Sequence, residues 1–220
     1  MPRRPALSRE RVIKAAVRVA DRGGIASVSM RNVGKKLGVE AMSLYHHVAG
    51  KDALLDGLAN WVFTQIELPD ARKPWRQAMV ERARSARGVL SQHPWALGLI
   101  ESRRVPGPAL LRHHEAVVAC LRKSGFTPAL ATHAFSAIDA YIYGFVLTEL
   151  NLPFQADEGA EGYVDEIQQL LPVDEYPYLV ESITELVVGG AFAYADEFEF
   201  GLDLILDSLE RHLANLTAAE

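Results

Sequence analysis

A lone cysteine, Cys120, is all the thiol chemistry this chain has, which excludes an internal disulfide framework and suits a reducing compartment, the cytoplasm. Its neighbours Val117, Val118 and Leu121 predict a small buried hydrophobe and not a redox switch. Strand signals are missing, because no run alternates polar and apolar residues with period two. Long apolar runs are missing too. The longest nearly apolar stretch, Leu186 to Ala195, is about half a bilayer span, so no membrane partner is expected. Met-Pro-Arg-Arg at the start leads into a charged amphipathic stretch, which argues against a signal peptide. Internal repeats, low-complexity tracts, Gly-x-Ser-x-Gly, phosphate loops and dinucleotide fingerprints are all absent. His114-Glu115 opens a zinc-hydrolase pattern, but Val118 stands where the second histidine of His-Glu-x-x-His belongs. The expectation is a protein that is not an enzyme.

What is present begins with an uneven charge. The 220 residues are 49% hydrophobic, enough for a substantial core, and their net charge of −5 taken alone argues against nucleic acid. Residues 1–51, however, hold eleven Lys/Arg against three Asp/Glu, a local charge of +8, which leaves −13 for the other 169. A basic head on an acidic body offers one surface to phosphates while the rest repels them.

Helical periodicity runs throughout. Val12, Ala15, Ala16, Val19 and Ala20 form one stripe, closed by Gly23-Gly24. Ser29 is placed to cap a helix over 30–37, and Gly38 to end it in a left-handed conformation. A short helix over 40–47 and a longer one over 52–68 follow; Leu54, Leu55, Leu58, Trp61, Val62 and Ile66 share one face of the latter. Pro74, Pro108, Pro128 and Pro177 each sit at a helix start, where a missing N–H costs little. Helices are therefore expected at 74–91, 95–101, 107–124, 128–150, 160–171, 177–192 and 197–215. The acidic stretch 155–175, with Asp157, Glu158, Glu161, Asp165, Glu166, Asp174 and Glu175, is read as a solvated segment.

The most specific signal lies in residues 27–51. Two short helices around Gly38-Val39 have the spacing of a helix-turn-helix, whose second helix enters a DNA major groove. Gly34 and Gly38 allow the close crossing, while Val33, Leu37, Val39 and Leu44 pack the inner face. Arg31 has the reach for a guanine edge, and Ala41, Met42 and Ser43 suit thymine methyls. His46 and His47 lie on the outer face of the second helix. Ser29, Tyr45, His47 and Lys51 carry the donors of phosphate clamps.

Ser-Met-Arg-(x)2-Gly-(x)2-Leu-Gly-Val-(x)4-Leu-Tyr-His-His-Val-(x)2-Lys-(x)2-Leu-Leu, within residues 27–58, resembles the signature of TetR-type bacterial repressors, in the branch of the tetracycline repressor. Residues 198–210 are similar to that branch's last helix. The resemblance implies base contacts from Arg31, Ala41, Met42 and Ser43, and backbone contacts from Ser29, Tyr45, His47 and Lys51. Two departures stand out. Gly34 replaces the alanine usual in relatives, and Ala41-Met42 replaces more polar or proline-containing sequences, so no relative's operator can be borrowed.

A palindromic operator needs two copies of such a head. Helix 128–150 carries Phe135, Ile138, Ile142, Phe145 and Val146, and helix 197–215 carries Phe198, Leu202, Ile205, Leu206, Leu209 and Leu213. These bands are wide enough to serve a core and a partner, and the resemblance implies a four-helix bundle across a dimer axis. Ile138, Ile142, Phe145, Leu202, Ile205 and Leu209 are the expected interface. Trp61, Gln65, Trp75, Met79, Trp95, Leu99, His114, Val117, Phe135, Asp139 and Tyr143 are the expected walls of a largely apolar effector pocket. His114 and Asp139 attract notice as polar groups on apolar faces. Tetracycline-binding relatives hold a magnesium chelate through histidine, but the surroundings of His93, His114 and His133 do not match, and no metal or cofactor is expected. The reading is an all-α protein with an N-terminal three-helix helix-turn-helix DNA-binding domain, residues 1–50, and a larger C-terminal helical ligand-binding and dimerisation domain, residues 51–220. Its expected partners are double-stranded operator DNA, a small-molecule effector and a second copy of itself.

Overall fold

A computed structural model describes residues 6–103, 105–153, 171–185 and 193–218. Ten α-helices and no strand occur among them, as the period of the sequence requires. Helix α1, Arg9–Gly23, is capped by Ser8, whose hydroxyl accepts the Arg11 N–H at 3.3 Å. Its stripe of Val12, Ala15, Ala16 and Ala20 is buried, with Ile13 and Val17 beside it. Helix α2, Met30–Leu37, is capped by the expected Ser29, which accepts the Asn32 N–H at 3.1 Å, and it ends at Gly38 with φ 69° and ψ 37°. Both features follow from local chemistry: a hydroxyl satisfying an orphan donor, and a residue without Cβ in left-handed space.

Helix α3, Ala41–Leu44, is shorter than the expected 40–47. The Leu44 carbonyl accepts from both His47 N and Val48 N at 2.9 Å, so the chain tightens into turns through residue 47. Helix α4, Lys51–Gln65, stops before the expected Leu68 because Ile66 is extended and Pro69 disfavours helix in the residue preceding it. Helices α5, Trp75–Gln92; α6, Ala96–Ser102; α7, Pro108–Lys123; and α8, Pro128–Glu149, lie within two residues of expectation. Thr127 caps α8 as its Thr-Pro start predicts, accepting the Leu130 N–H at 3.2 Å. Helix α9, Pro177–Ile183, and helix α10, Glu197–Ala218, complete the described chain. The expected helix 160–171 falls almost wholly outside the described residues, as do 186–192 of the expected 177–192 and Asp157, Glu158, Glu161, Asp165 and Glu166 of the acidic stretch.

Two compact units are present, Met1–Phe135 and Ser136–Glu220. In the first, α4 is the hub, packing against α1, α5, α6 and α7. Leu54, Leu58, Val62, Met79, Leu90, Val117 and Leu121 are fully buried there, and Cys120 is buried with its thiol pKa raised by desolvation. In the second, the Tyr141 hydroxyl lies 3.0 Å from the carbonyl oxygens of Glu197 and Phe198 and donates to them. Tyr141, Phe145, Tyr194 and Phe198 form a chain of ring contacts. Helix α8 is, among the described helices, the one long and apolar enough by composition to cross a membrane; its buried positions Ala131, Ala134, Ile138, Ile142 and Val146 follow the spacing of a core stripe.

Candidate nucleic-acid interface and effector region

The helix pair α2–α3 presents one polar, accessible face. Arg31, Met42, Tyr45, His46 and Lys51 are exposed, Met42 at 73%, while Ser29, Ala41, Ser43 and His47 are half-exposed. Val33 and Leu44 are fully buried beneath them, and Leu37 and Val39 are half-buried. Every side chain expected at DNA is therefore accessible, and the hydrophobic partners that hold the two helices together are not. The Ser29 oxygen is committed to its cap, but its hydroxyl proton is still available to a phosphate. A Cβ built on Gly34 would lie 2.9 Å from the Val39 carbonyl oxygen and 3.3 Å from Ala41 N, so the absent side chain lets the turn seat against α2. To one side, Arg18, Arg22, Lys35 and Lys36 line a recess of about 450 Å³ between α1 and α2.

The residues expected in an effector pocket divide into separate neighbourhoods. Trp75 is buried edge-on against Phe126, with ring centroids 4.9 Å apart. Trp61 and Trp95 instead flank His93, at 5.1 and 5.7 Å. Met79, Val117 and Leu99 are buried in the core of the first unit. His114 is half-buried with its ring 4.2 Å from Phe135. Gln65 is exposed and donates to Thr64 Oγ1 at 2.8 Å. Trp61 and Gln65 line an open recess of about 580 Å³ with residues of α1. Asp139, buried, and Tyr143, half-buried, belong to the second unit.

Of the expected interface residues, Ile138, Ile142, Phe145, Leu202 and Leu209 are buried within the single chain and Ile205 is half-buried. Large apolar groups left at the surface of α8 and α10 include Leu147, Phe200, Leu204 and Leu216, none of them among the expected interface residues. Their helical phase against the buried stripe is what marks them.

Two polar clusters escaped the sequence reading as well. The Asp21 carboxylate accepts from His93 Nδ1 and from Trp95 Nε1, both at 2.7 Å. Within the core, Arg82 Nε donates to His113 Nε2 at 2.8 Å, and the Arg82 guanidinium stands 5.8 Å from the centre of the Phe135 ring. His113 is 1% exposed; burial first, and the neighbouring Arg82 charge second, lower its pKa from 6.5 to about 3. The imidazole is therefore neutral at physiological pH and serves as an acceptor. Arg82 sits among Ala78, Met79, Ala83 and Ala86, and a cation in an apolar stripe was the available signal that a buried acceptor had to exist.

Comparison with known proteins accounts for this layout. Residues 12–58 match the family described as bacterial regulatory proteins, tetR family, and residues 68–213 match the tetracyclin repressor-like C-terminal domain. The chain is 34% identical over 218 residues to the HTH-type transcriptional repressor DrrR1 of Streptomyces coeruleorubidus, covering 94% of this chain and 78% of that protein. It is 29% identical to the tetracycline repressor protein class C of Escherichia coli, covering 93% and 91%. Its fold is similar to that of the Streptomyces coelicolor TetR family protein ActR in complex with actinorhodin, with a TM-score of 0.77, 25% identity, and coverage of 95% and 99%.

Proposed function

The chain belongs to the tetR family of bacterial regulatory proteins, and from that premise we propose that it is a ligand-responsive transcriptional repressor that holds a palindromic operator as a homodimer and is released by a small-molecule effector. The observation that carries this reading is the accessible polar face of α2 and α3 set on a head of local charge +8. In it, residues 1–50 bind DNA and residues 51–220 bind the effector and the partner copy. Arg31 reads a base edge, Ala41, Met42 and Ser43 line the groove floor, and Ser29, Tyr45, His46, His47 and Lys51 fix the backbone. Leu147, Phe200 and Leu204 extend the expected dimer surface of α8 and α10 outward from its buried stripe. ActR has been seen holding actinorhodin, a precedent for effector binding within this fold. The effector acts by favouring a conformer whose two heads no longer match successive major grooves; a differential affinity of about 1.4–3 kcal/mol weakens DNA binding roughly ten- to a hundredfold. It works in the cytoplasm, on double-stranded DNA.

Selection of bound duplexes from a random pool, followed by titration of two variants, tests the docking. Arg31→Ala should relax base preference at one position in each half-site. Lys51→Ala should weaken all sequences alike and flatten the salt slope by about one unit. Binding unaltered by both changes refutes the arrangement.

A further inference from the structure

Between the middle of α4 and the loop joining α6 to α7 lies a recess of about 320 Å³, and none of the eleven residues expected in the effector pocket lines it. Its volume is at the lower end of the range that holds small organic ligands, too little for a folded partner. Phe63, Ile100, Pro106, Pro108 and Leu110 supply apolar wall. The two prolines fix the backbone on either side of Gly107, and that glycine is pressed on α4: a Cβ there would meet Asn60 Oδ1 at 2.8 Å. The recess is thus formed before anything enters it, which removes an ordering cost from binding.

The polar part of the lining leaves two donors open. Asn60 Oδ1 already accepts the Ala109 N–H at 2.9 Å, leaving Asn60 with its amide protons to offer. Asp56, the acidic side chain in the lining, accepts from Arg103 Nη1 at 3.2 Å. Arg103 Nε, by contrast, is buried and has no acceptor among the described residues. A buried guanidinium donor left unmatched is costly, and an incoming acceptor relieves it. The Asp56 carboxylate answers Arg103 Nη1 but not Nε, so the wall leaves the Nε donor open beside flat apolar surface.

We propose that this recess binds a small aromatic carboxylate, its oxygens on Arg103 Nε and the Asn60 amide and its ring against Phe63, Ile100 and Leu110. It is a site separate from the expected effector pocket. Because α4 also packs on α1, occupancy bears on the DNA-binding head; that consequence alone rests on the repressor reading.

Calorimetric titration of the full-length protein with 2-naphthoate, and with neutral 2-naphthamide as a size-matched control, tests the assignment. One naphthoate should bind per chain, about tenfold or more tighter than the amide, as expected for a charge-assisted bond. Arg103→Gln should remove that preference. Ala59→Trp should fill the recess and abolish binding of both probes, with Leu110→Trp filling it from α7 should the first variant fail to fold. Absence of naphthoate binding, equal affinity for the two probes, or naphthoate binding that survives both Arg103→Gln and a folded filling variant overturns the proposal. Operator binding of each variant is measured without probe. Failure of the parent protein to bind any duplex, alongside intact naphthoate binding, counts against the repressor reading and leaves the site standing.

Discussion

Trp95 donates its indole N–H to the Asp21 carboxylate at 2.7 Å, tying the turn before α6 to α1 across 74 positions of sequence. The same oxygen receives His93 Nδ1, and the His93 ring lies edge-on to Trp61 of α4. One carboxylate thus gathers α1, from the DNA-binding head, and the α5–α6 turn, which in turn touches α4. In a regulator whose effector and DNA regions must communicate, such a joint decides how firmly the head is held.

Asp21→Ala should destabilise the protein by about 1–2 kcal/mol, because it strands the indole N–H of buried Trp95 and removes the acceptor of the partly covered His93 ring. Asp21→Asn, which keeps an acceptor oxygen but loses the charge, should recover part of that loss. Urea unfolding at pH 7 measures both. An alanine variant within about 0.5 kcal/mol of the parent would mean that water replaces the carboxylate and the joint holds nothing.

Gly34→Ala sets two effects against each other. Alanine favours helix over glycine by up to about 1 kcal/mol, so propensity alone predicts a gain in stability. The new methyl, however, meets backbone atoms, Val39 O at 2.9 Å and Ala41 N at 3.3 Å, and backbone cannot rotate aside as a side-chain end can. The turn must then back away and carry α3 with it. No net gain in melting temperature and a measurable loss of operator affinity by fluorescence anisotropy are expected. A higher melting temperature with unchanged affinity would show that the turn has room to give.

How much of this was legible beforehand depended on range. The Ser29 cap, the left-handed Gly38 and the Thr127-Pro128 start are satisfied within four residues, so the sequence carries their whole cause. The exposed face of α2 and α3 was legible for the same reason, since helical phase around the buried Val33 and Leu44 sets it. Side-chain partners distant in sequence were not. His113 and His114 differ by one step of about 100° around α7, and only packing decided that His113 turns inward to Arg82 while His114 turns to Phe135. Asp21 sits at the solvent-facing end of α1, where nothing local marks it as the acceptor for residues more than 70 positions away. The three tryptophans suggested a single cavity by composition, whereas the structure places Trp75 on Phe126 and the other two on His93.

His113 gives the fold a dependence on acid that its exposed groups do not mimic. Arg82 Nε donates to its Nε2, an arrangement open only to the neutral ring, and burial with the adjacent guanidinium holds the pKa near 3. In the unfolded chain the same imidazole titrates near 6.5. Between those values the unfolded state binds a proton that the folded state refuses, so stability falls as pH falls, with a slope approaching 1.4 kcal/mol per unit. The slope fades as pH rises through 6.5 and vanishes about a unit above it. Glu10 and Glu81, paired with Lys14 and Lys73, and Asp70, paired with Arg72, also have lowered values and lose stabilisation in acid, but only once their own carboxylates begin to protonate, so the interval from 6.5 down to 5 lies above them, and comparison with a His113 variant subtracts the other histidines. His113→Gln keeps an acceptor oxygen for Arg82 and removes the titration. Unfolding free energies of the two proteins, measured from pH 7 to 5, should therefore converge by up to about 2 kcal/mol as acid is added. Parallel profiles would mean that the buried ring takes up its proton as readily as a free one, and that the Arg82 bond does not hold it neutral.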